Sequence, residues 1–122
     1  MKILVTGGSG FTGSVLIPLL LNQNHQIISY DTQWFGLNLT EHKNLQNIKG
    51  NILTFDENIL KDVDSVIHLA SIANDPSADL DPKLTWEVNA LATMLIASKA
   101  SKHNVKQFIF ASSGSVYGIK KE

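Results

Sequence analysis

Glycines at positions 7, 10 and 13 fall in the run Thr6-Gly7-Gly8-Ser9-Gly10-Phe11-Thr12-Gly13. The run follows a strand-like start, Met1-Lys2-Ile3-Leu4-Val5, and opens onto an apolar stretch that reads as a helix, Val15-Leu16-Ile17-Pro18-Leu19-Leu20-Leu21. A strand, a glycine turn and a helix in that order bring a helix N-terminus close to a bound anion. The unpaired amides and the positive dipole end there can receive a diphosphate lying almost against the backbone. Gly7 suits the tight turn, Gly10 leaves room where a Cβ would block the phosphates, and Gly13 allows close helix packing. Phe11 and Thr12 complete the expected diphosphate-facing segment.

An acid follows at the spacing this arrangement requires. Asp31 ends a second strand-like run, Gln26-Ile27-Ile28-Ser29-Tyr30, and lies 18 residues after Gly13. A carboxylate there can accept both hydroxyls of an adenosine ribose and would repel a 2′-phosphate. All ten basic residues are lysines, with no arginine to receive that phosphate. NAD is therefore favoured over NADP. The plainer alternative makes Asp31 a turn residue after a strand.

The chain has 122 residues, the size of one domain, and 43% of them are hydrophobic, enough for a core. Its net charge of −1 and scattered lysines give no basic patch for nucleic acid. Without cysteine there is neither a disulfide framework nor a thiolate metal site, and the four histidines lack ligand spacing. His68 sits inside an apolar run and reads as a packed strand residue. No apolar run reaches the ~20 residues of a membrane span, and no signal peptide precedes the first strand. A cytoplasmic protein is expected.

Strands are expected at 2–6, 26–31, 47–50, 64–70 and 105–111. Helices are expected at 11–23, bent by Pro18, at 55–62 in a short form, and at 82–102. One helical turn is expected near 41–45. In the long helix Leu84, Val88, Leu91 and Leu95 form one apolar stripe, capped by Asp81 and closed by His103-Asn104. Trp86 reads as core. Alternation of apolar strands with helices predicts an α/β, doubly wound parallel sheet ordered 3-2-1-4-5. Ligands bind such sheets beyond the carboxyl ends of the strands, which brings together Gly7–Gly13, Asp31, Asn51-Ile52, Ala70-Ser71 and Ser112-Ser113.

At these positions the chain resembles the extended short-chain dehydrogenase/reductase family, in its nucleotide-sugar epimerase/dehydratase branch. The resemblance rests on the glycine loop, on Val66-Ile67-His68-Leu69-Ala70, on Trp86-Glu87-Val88-Asn89 and on Phe110-Ala111-Ser112-Ser113-Gly114-Ser115-Val116-Tyr117-Gly118. The stretch Asp31-Thr32-Gln33-Trp34-Phe35-Gly36 adds to it. The resemblance implies a Rossmann-like domain over 1–122, incomplete at its carboxy-terminal side, with NAD as cofactor and a nucleotide sugar as the full-length relative's substrate. It places Leu69, Ala70 and Ser71 on the nicotinamide side and Asn89 beside them, bonded to a neighbouring strand. It makes Ser113 the catalytic hydroxyl and Ser112 its neighbour; the alternative for Ser113 is an ordinary loop serine.

Two positions depart from the family pattern. Asn51, beside Ile52, stands where the family usually has an acid to bond the adenine amine, and its amide carbonyl can accept the same bond. The family's Tyr-x-x-x-Lys pair lies well beyond Ser113, whereas these residues stop at Glu122. In that pair the lysine charge lowers the tyrosine pKa for acid/base work. Tyr117 and Lys121 have the spacing but belong to a Val-Tyr-Gly turn and are rejected as the dyad. The expectation is an amino-terminal, NAD-binding portion without a substrate domain, inactive alone. The alternative is a non-catalytic dinucleotide-binding module or sensor. An uncovered last strand and helix 82–102 lacking its neighbour predict a homo-oligomer.

Overall fold

A computed structural model of the chain describes residues 1–32, 41–70 and 82–110, apart from the side chains of Phe11 and of residues 82–88. The strands are β1 (Lys2–Thr6), β2 (Gln26–Asp31), β3 (Leu45–Lys49), β4 (Ser65–His68) and β5 (Gln107–Phe110). The helices are α1 (Phe11–Asn22) and α2 (Pro82–Lys102). All neighbouring strands pair in parallel, and the sheet order is β3-β2-β1-β4-β5. This is the doubly wound, Rossmann-like arrangement, with the order reversing between β1 and β4.

Successive strand residues point to opposite faces, and both faces are covered. Ile3, Val5 and Ile27 pack with Ile17 and Leu21 of α1 on one side. Leu4, Ile28, Tyr30 and Val66 pack with Phe55, Leu60, Val63, Ile96 and Ala100 on the other. That is why β1 and β2 carry consecutive apolar residues, Ile3-Leu4-Val5 and Ile27-Ile28. Both helices stop in the same way. Asn24 (φ +66°) and Asn104 (φ +59°) take the left-handed conformation that ends a helix. Asn24 N–H donates to Leu21 O, and Val105 N–H donates to Ala100 O.

Three expectations fail locally. The helix over 55–62 is instead two 3₁₀ turns, Ile52–Thr54 and Glu57–Leu60. Asn51 and Asp56 each accept an amide two residues ahead, from Leu53 and Asn58, so the segment is interrupted by its own side chains. The helical turn near 41–45 gives way to β3, which begins at Leu45. The third difference is the rotation of α2. Ala92, Ile96 and Ala100 face the sheet, whereas Leu91 of the expected stripe is 51% exposed and Leu95 only half-buried. Small residues let the helix axis approach the sheet closely. Asp81 and the loop at 74–77 lie outside the described residues, as does the side chain of Trp86.

Candidate functional site

The crevice begins at the end of β1. Gly7 has φ +73°, a conformation costly for any residue with a Cβ, and its amide donates to Tyr30 O at 2.7 Å. A Cβ on Gly7 would lie 2.7 Å from Ala70 N and 2.9 Å from Leu69 C, so the end of β4 rests directly against the glycine turn. A Cβ on Gly13 would lie 2.7 Å from Gly8 Cα. Gly13 therefore closes α1 onto the turn itself rather than onto the strand. Gly10 differs. Among the described residues a Cβ there would meet only Gly7 O, at 3.3 Å. The Cβ direction at Gly10 is less crowded than at Gly7 or Gly13.

Gly10 is also the N-cap of α1, in extended conformation, with no side-chain cap and no acid in the first turn. The first amides of a helix have no intrahelical partner. A less crowded glycine, a helix start without a side-chain cap and the dipole's positive end thus coincide on one side of the turn. The acid needed next is in place. Asp31, half-buried at the carboxyl end of β2, accepts the Ser9 amide on Oδ2 at 3.1 Å. That bond ties the carboxylate to the glycine turn across the β1–β2 boundary. Sequence spacing foresaw the acid but not the Ser9 contact that fixes it.

Asn51 and Ile52 stand at the end of β3. Tyr30 OH donates to Asn51 O at 2.9 Å, and Asn51 Oδ1 accepts the Leu53 amide at 2.9 Å. The carboxamide oxygen keeps a second lone pair for another donor. Burial, and then the nearby Asp56 charge, push the Tyr30 hydroxyl pKa up, so it stays a protonated donor. Opposite, β4 delivers Leu69 and Ala70. Both amides donate to Thr6 Oγ1, at 3.1 and 3.2 Å. Nothing in the spacing pointed to Thr6, although it is the residue directly before the first glycine. Asn89 is half-buried in α2, and its carbonyl accepts the Thr93 hydroxyl at 2.9 Å.

The structure therefore gathers Gly7, Gly10, Gly13, Asp31, Asn51, Ile52, Leu69 and Ala70 at the carboxyl end of the sheet. Phe11 and Thr12 begin α1 there. Ser71, Ser112, Ser113, Tyr117 and Lys121 lie outside the described residues. Two surface depressions lie elsewhere. One sits at the amino ends of the strands, lined by Met1, Asp64, Lys106 and Gln107. The other is beneath β2 and β3, beside Lys2 and Lys61. No group of three or more metal-ligating side chains forms among the described residues, and no described helix is long and apolar enough to cross a membrane.

The model of the NAD dependent epimerase/dehydratase family matches residues 3–122. The chain belongs to that family. An uncharacterized UDP-glucose epimerase of Bacillus subtilis is 38% identical, over 99% of this chain and 42% of that protein. A solved UDP-N-acetylglucosamine 4-epimerase from Methanobrevibacter ruminantium, in complex with UDP-N-acetylmuramic acid, superposes with a TM-score of 0.86 at 34% identity. It covers 99% of this chain and 40% of its own. MoeE5, in complex with UDP-glucuronic acid and NAD, superposes at 0.81 with 28% identity, over 96% of this chain and 38% of its own. The chain thus spans about two-fifths of the length of these epimerase-family relatives.

Proposed function

We propose that these residues form the NAD-binding portion of a nucleotide-sugar epimerase or dehydratase. The observation that carries the reading is the Asp31 carboxylate, tethered by the Ser9 amide beside a start of α1 that has no side-chain cap. The site fits the cofactor. The amides of Phe11, Thr12 and Gly13 would receive the diphosphate, with Gly10 admitting it. Asp31 would accept the ribose hydroxyls, Asn51 and Ile52 would border the adenine, and Leu69, Ala70, Ser71 and Asn89 would flank the nicotinamide. When bound, NAD would supply the hydride acceptor for transient oxidation of a sugar carbon. Ser113, with Ser112 beside it, would hydrogen-bond the sugar oxygen at that carbon. A tyrosine–lysine dyad for proton transfer is not found among the 122 residues at the family's position, so we propose that this stretch alone binds without turning over.

Calorimetry on the 122-residue chain tests the cofactor reading. Wild type should bind NAD in preference to NADP. Replacing Asp31 by Ala removes charge-assisted bonds worth about 1.5–3 kcal/mol, which should weaken NAD about 10- to 150-fold and narrow the preference. Absence of NAD binding by folded protein would overturn the reading. Product formed from UDP-glucose by this chain alone would overturn the claim of inactivity. The exposed Leu91 and Met94 on α2, with Ile109 and Phe110 at the sheet edge, support self-association. Sedimentation should find a dimer or larger species, and a strict monomer at high concentration would refute that.

A further inference from the structure

His68 is the last residue of β4 and is fully buried, pointing to the α2 side of the sheet with Val66. Its ring stacks on Phe110, the last residue of β5, at 5.8 Å between centroids and 27° between planes. Its Nδ1 lies 2.6 Å from Thr6 Oγ1. The same oxygen accepts Ala70 N–H and a share of Leu69 N–H, the latter also bonding Thr6 O at 3.0 Å. A threonine oxygen has two lone pairs and one proton. With Ala70 and a share of Leu69 donating to that oxygen, its own proton is best satisfied by His68 Nδ1. That nitrogen is then the acceptor, and the neutral ring carries its hydrogen on Nε2, which has no partner among the described residues.

We propose that His68 is a positioning residue for the crevice. Its unprotonated Nδ1 takes the Thr6 hydroxyl proton, fixing the Thr6 oxygen as acceptor for the amides at the end of β4. Ala70 has no other acceptor in that bracket, and its backbone lies against Gly7, so the bracket sets the spacing between the β4 loop and the glycine turn. The ring also packs against Phe108, at 6.2 Å between centroids, and against Phe110, the last described residue before Ser112 and Ser113 in the sequence. One buried side chain thus touches both the Thr6 bracket at the end of β4 and the end of β5. Burial agrees with the assignment, because it disfavours the imidazolium and pushes the His68 pKa down to about 4. The consequence for cofactor affinity rests on the NAD reading above; the tautomer and the bracket do not.

Nitrogen-15 NMR of histidine-labelled wild-type protein, amide exchange at Ala70 and NAD calorimetry together test this. The expected spectrum shows an unprotonated Nδ1 and a protonated Nε2; a protonated Nδ1 overturns the proposal without any variant. His68→Phe keeps an aromatic ring but removes the acceptor. His68→Asn loses the ring but keeps an acceptor branching from Cγ, as Nδ1 does. Ala70 exchange should accelerate at least tenfold in His68→Phe, measured relative to Val5 in β1, and stay near wild type in His68→Asn. NAD affinity should follow the same order. If packing alone matters, the order reverses, and that result refutes the acceptor role. Should wild type fail to bind NAD, the cofactor reading falls, while the spectrum and the exchange order still decide the bracket.

Discussion

Gly7 and Gly10 are three residues apart in one turn, yet the structure gives them separable roles. Replacing Gly7 by Ala forces a Cβ into the left-handed region at a cost of about 1–2 kcal/mol. The same Cβ would sit 2.7 Å from Ala70 N and 2.9 Å from both Ala70 Cα and Leu69 C, all backbone atoms that cannot rotate away. Overpacking of that kind adds about 1–3 kcal/mol, for a total near 2–5 kcal/mol. At about 4 °C per kcal/mol for a chain of this size, Tm should fall by about 8–20 °C. Among the described residues Gly10→Ala meets one backbone atom, Gly7 O, at a tight 3.3 Å, and its φ of −76° is open to any residue. A weaker N-cap and the tight contact with Gly7 O are partly offset by the stiffer unfolded chain, leaving a net loss of about 1 kcal/mol, smaller than at Gly7. Its methyl group, however, would stand in the space assigned to the phosphates, so NAD affinity should fall at least about tenfold, or 1.4 kcal/mol. Circular-dichroism melts and calorimetry on both variants read the two effects. Refutation would come from Gly7→Ala melting with wild type, or from Gly10→Ala binding NAD with wild-type affinity.

Truncating Ile96 to Ala should cost about 2–5 kcal/mol by denaturant titration, whereas Leu91→Ala should stay within about 0.5 kcal/mol because Leu91 is half exposed; equal losses would mean the helix faces the sheet with its leucine row. Tyr30→Phe removes the 2.9 Å bond to Asn51 O and should lower stability by about 0.5–1.5 kcal/mol, with faster exchange confined to the segment around Asn51. His68 has a folded pKa near 4, below its unfolded value, so the unfolded chain binds the extra proton first. Stability should therefore fall as pH drops from about 6.5 to 4, by up to roughly 3 kcal/mol, and His68→Asn should flatten that slope in melts across the range. Glu57 is held below its ordinary pKa, chiefly by the His103 hydrogen bond and then by Lys102. Its contribution is present above the ordinary carboxylate pKa and lost as pH falls through the lowered value, so Glu57→Gln should melt closer to wild type at pH 3 than at pH 6.

What the sequence made legible were features with one physical solution. A glycine needed for φ +73° and another needed for contact with neighbouring backbone admit no substitute, so their spacing carries the turn. Strands buried on both faces are mostly apolar, so Ile3-Leu4-Val5 and Ile27-Ile28 do not alternate as a half-exposed strand would. Asp31 was legible because a carboxylate at the end of β2 reaches the glycine turn, where it accepts the Ser9 amide. The 3₁₀ turns were not legible, since whether Asn51 and Asp56 cap their own chain or let a helix run through depends on where Phe55 and Leu60 must be buried.

The rotation of α2 shows the limit most clearly. Two adjacent rows of that helix are apolar, one built from leucines and one from Ala92, Ile96 and Ala100. Periodicity cannot choose between rows about 100° apart, and a hydrophobicity ranking favours leucine. The sheet selects by shape instead, because alanines allow the closest approach while Ile96 fills the core with Leu4 and Val66. The larger row is then turned outward, leaving Leu91 and Met94 at 51% and 68% exposure. The same logic explains why His68 read as mere packing. Its burial was visible in the apolar run around it, but its hydrogen-bond role exists only because β1 and β4, distant in sequence, place Thr6 opposite it. Local patterns reveal a residue's environment. Its partner is set by strand register, and register belongs to the whole sheet.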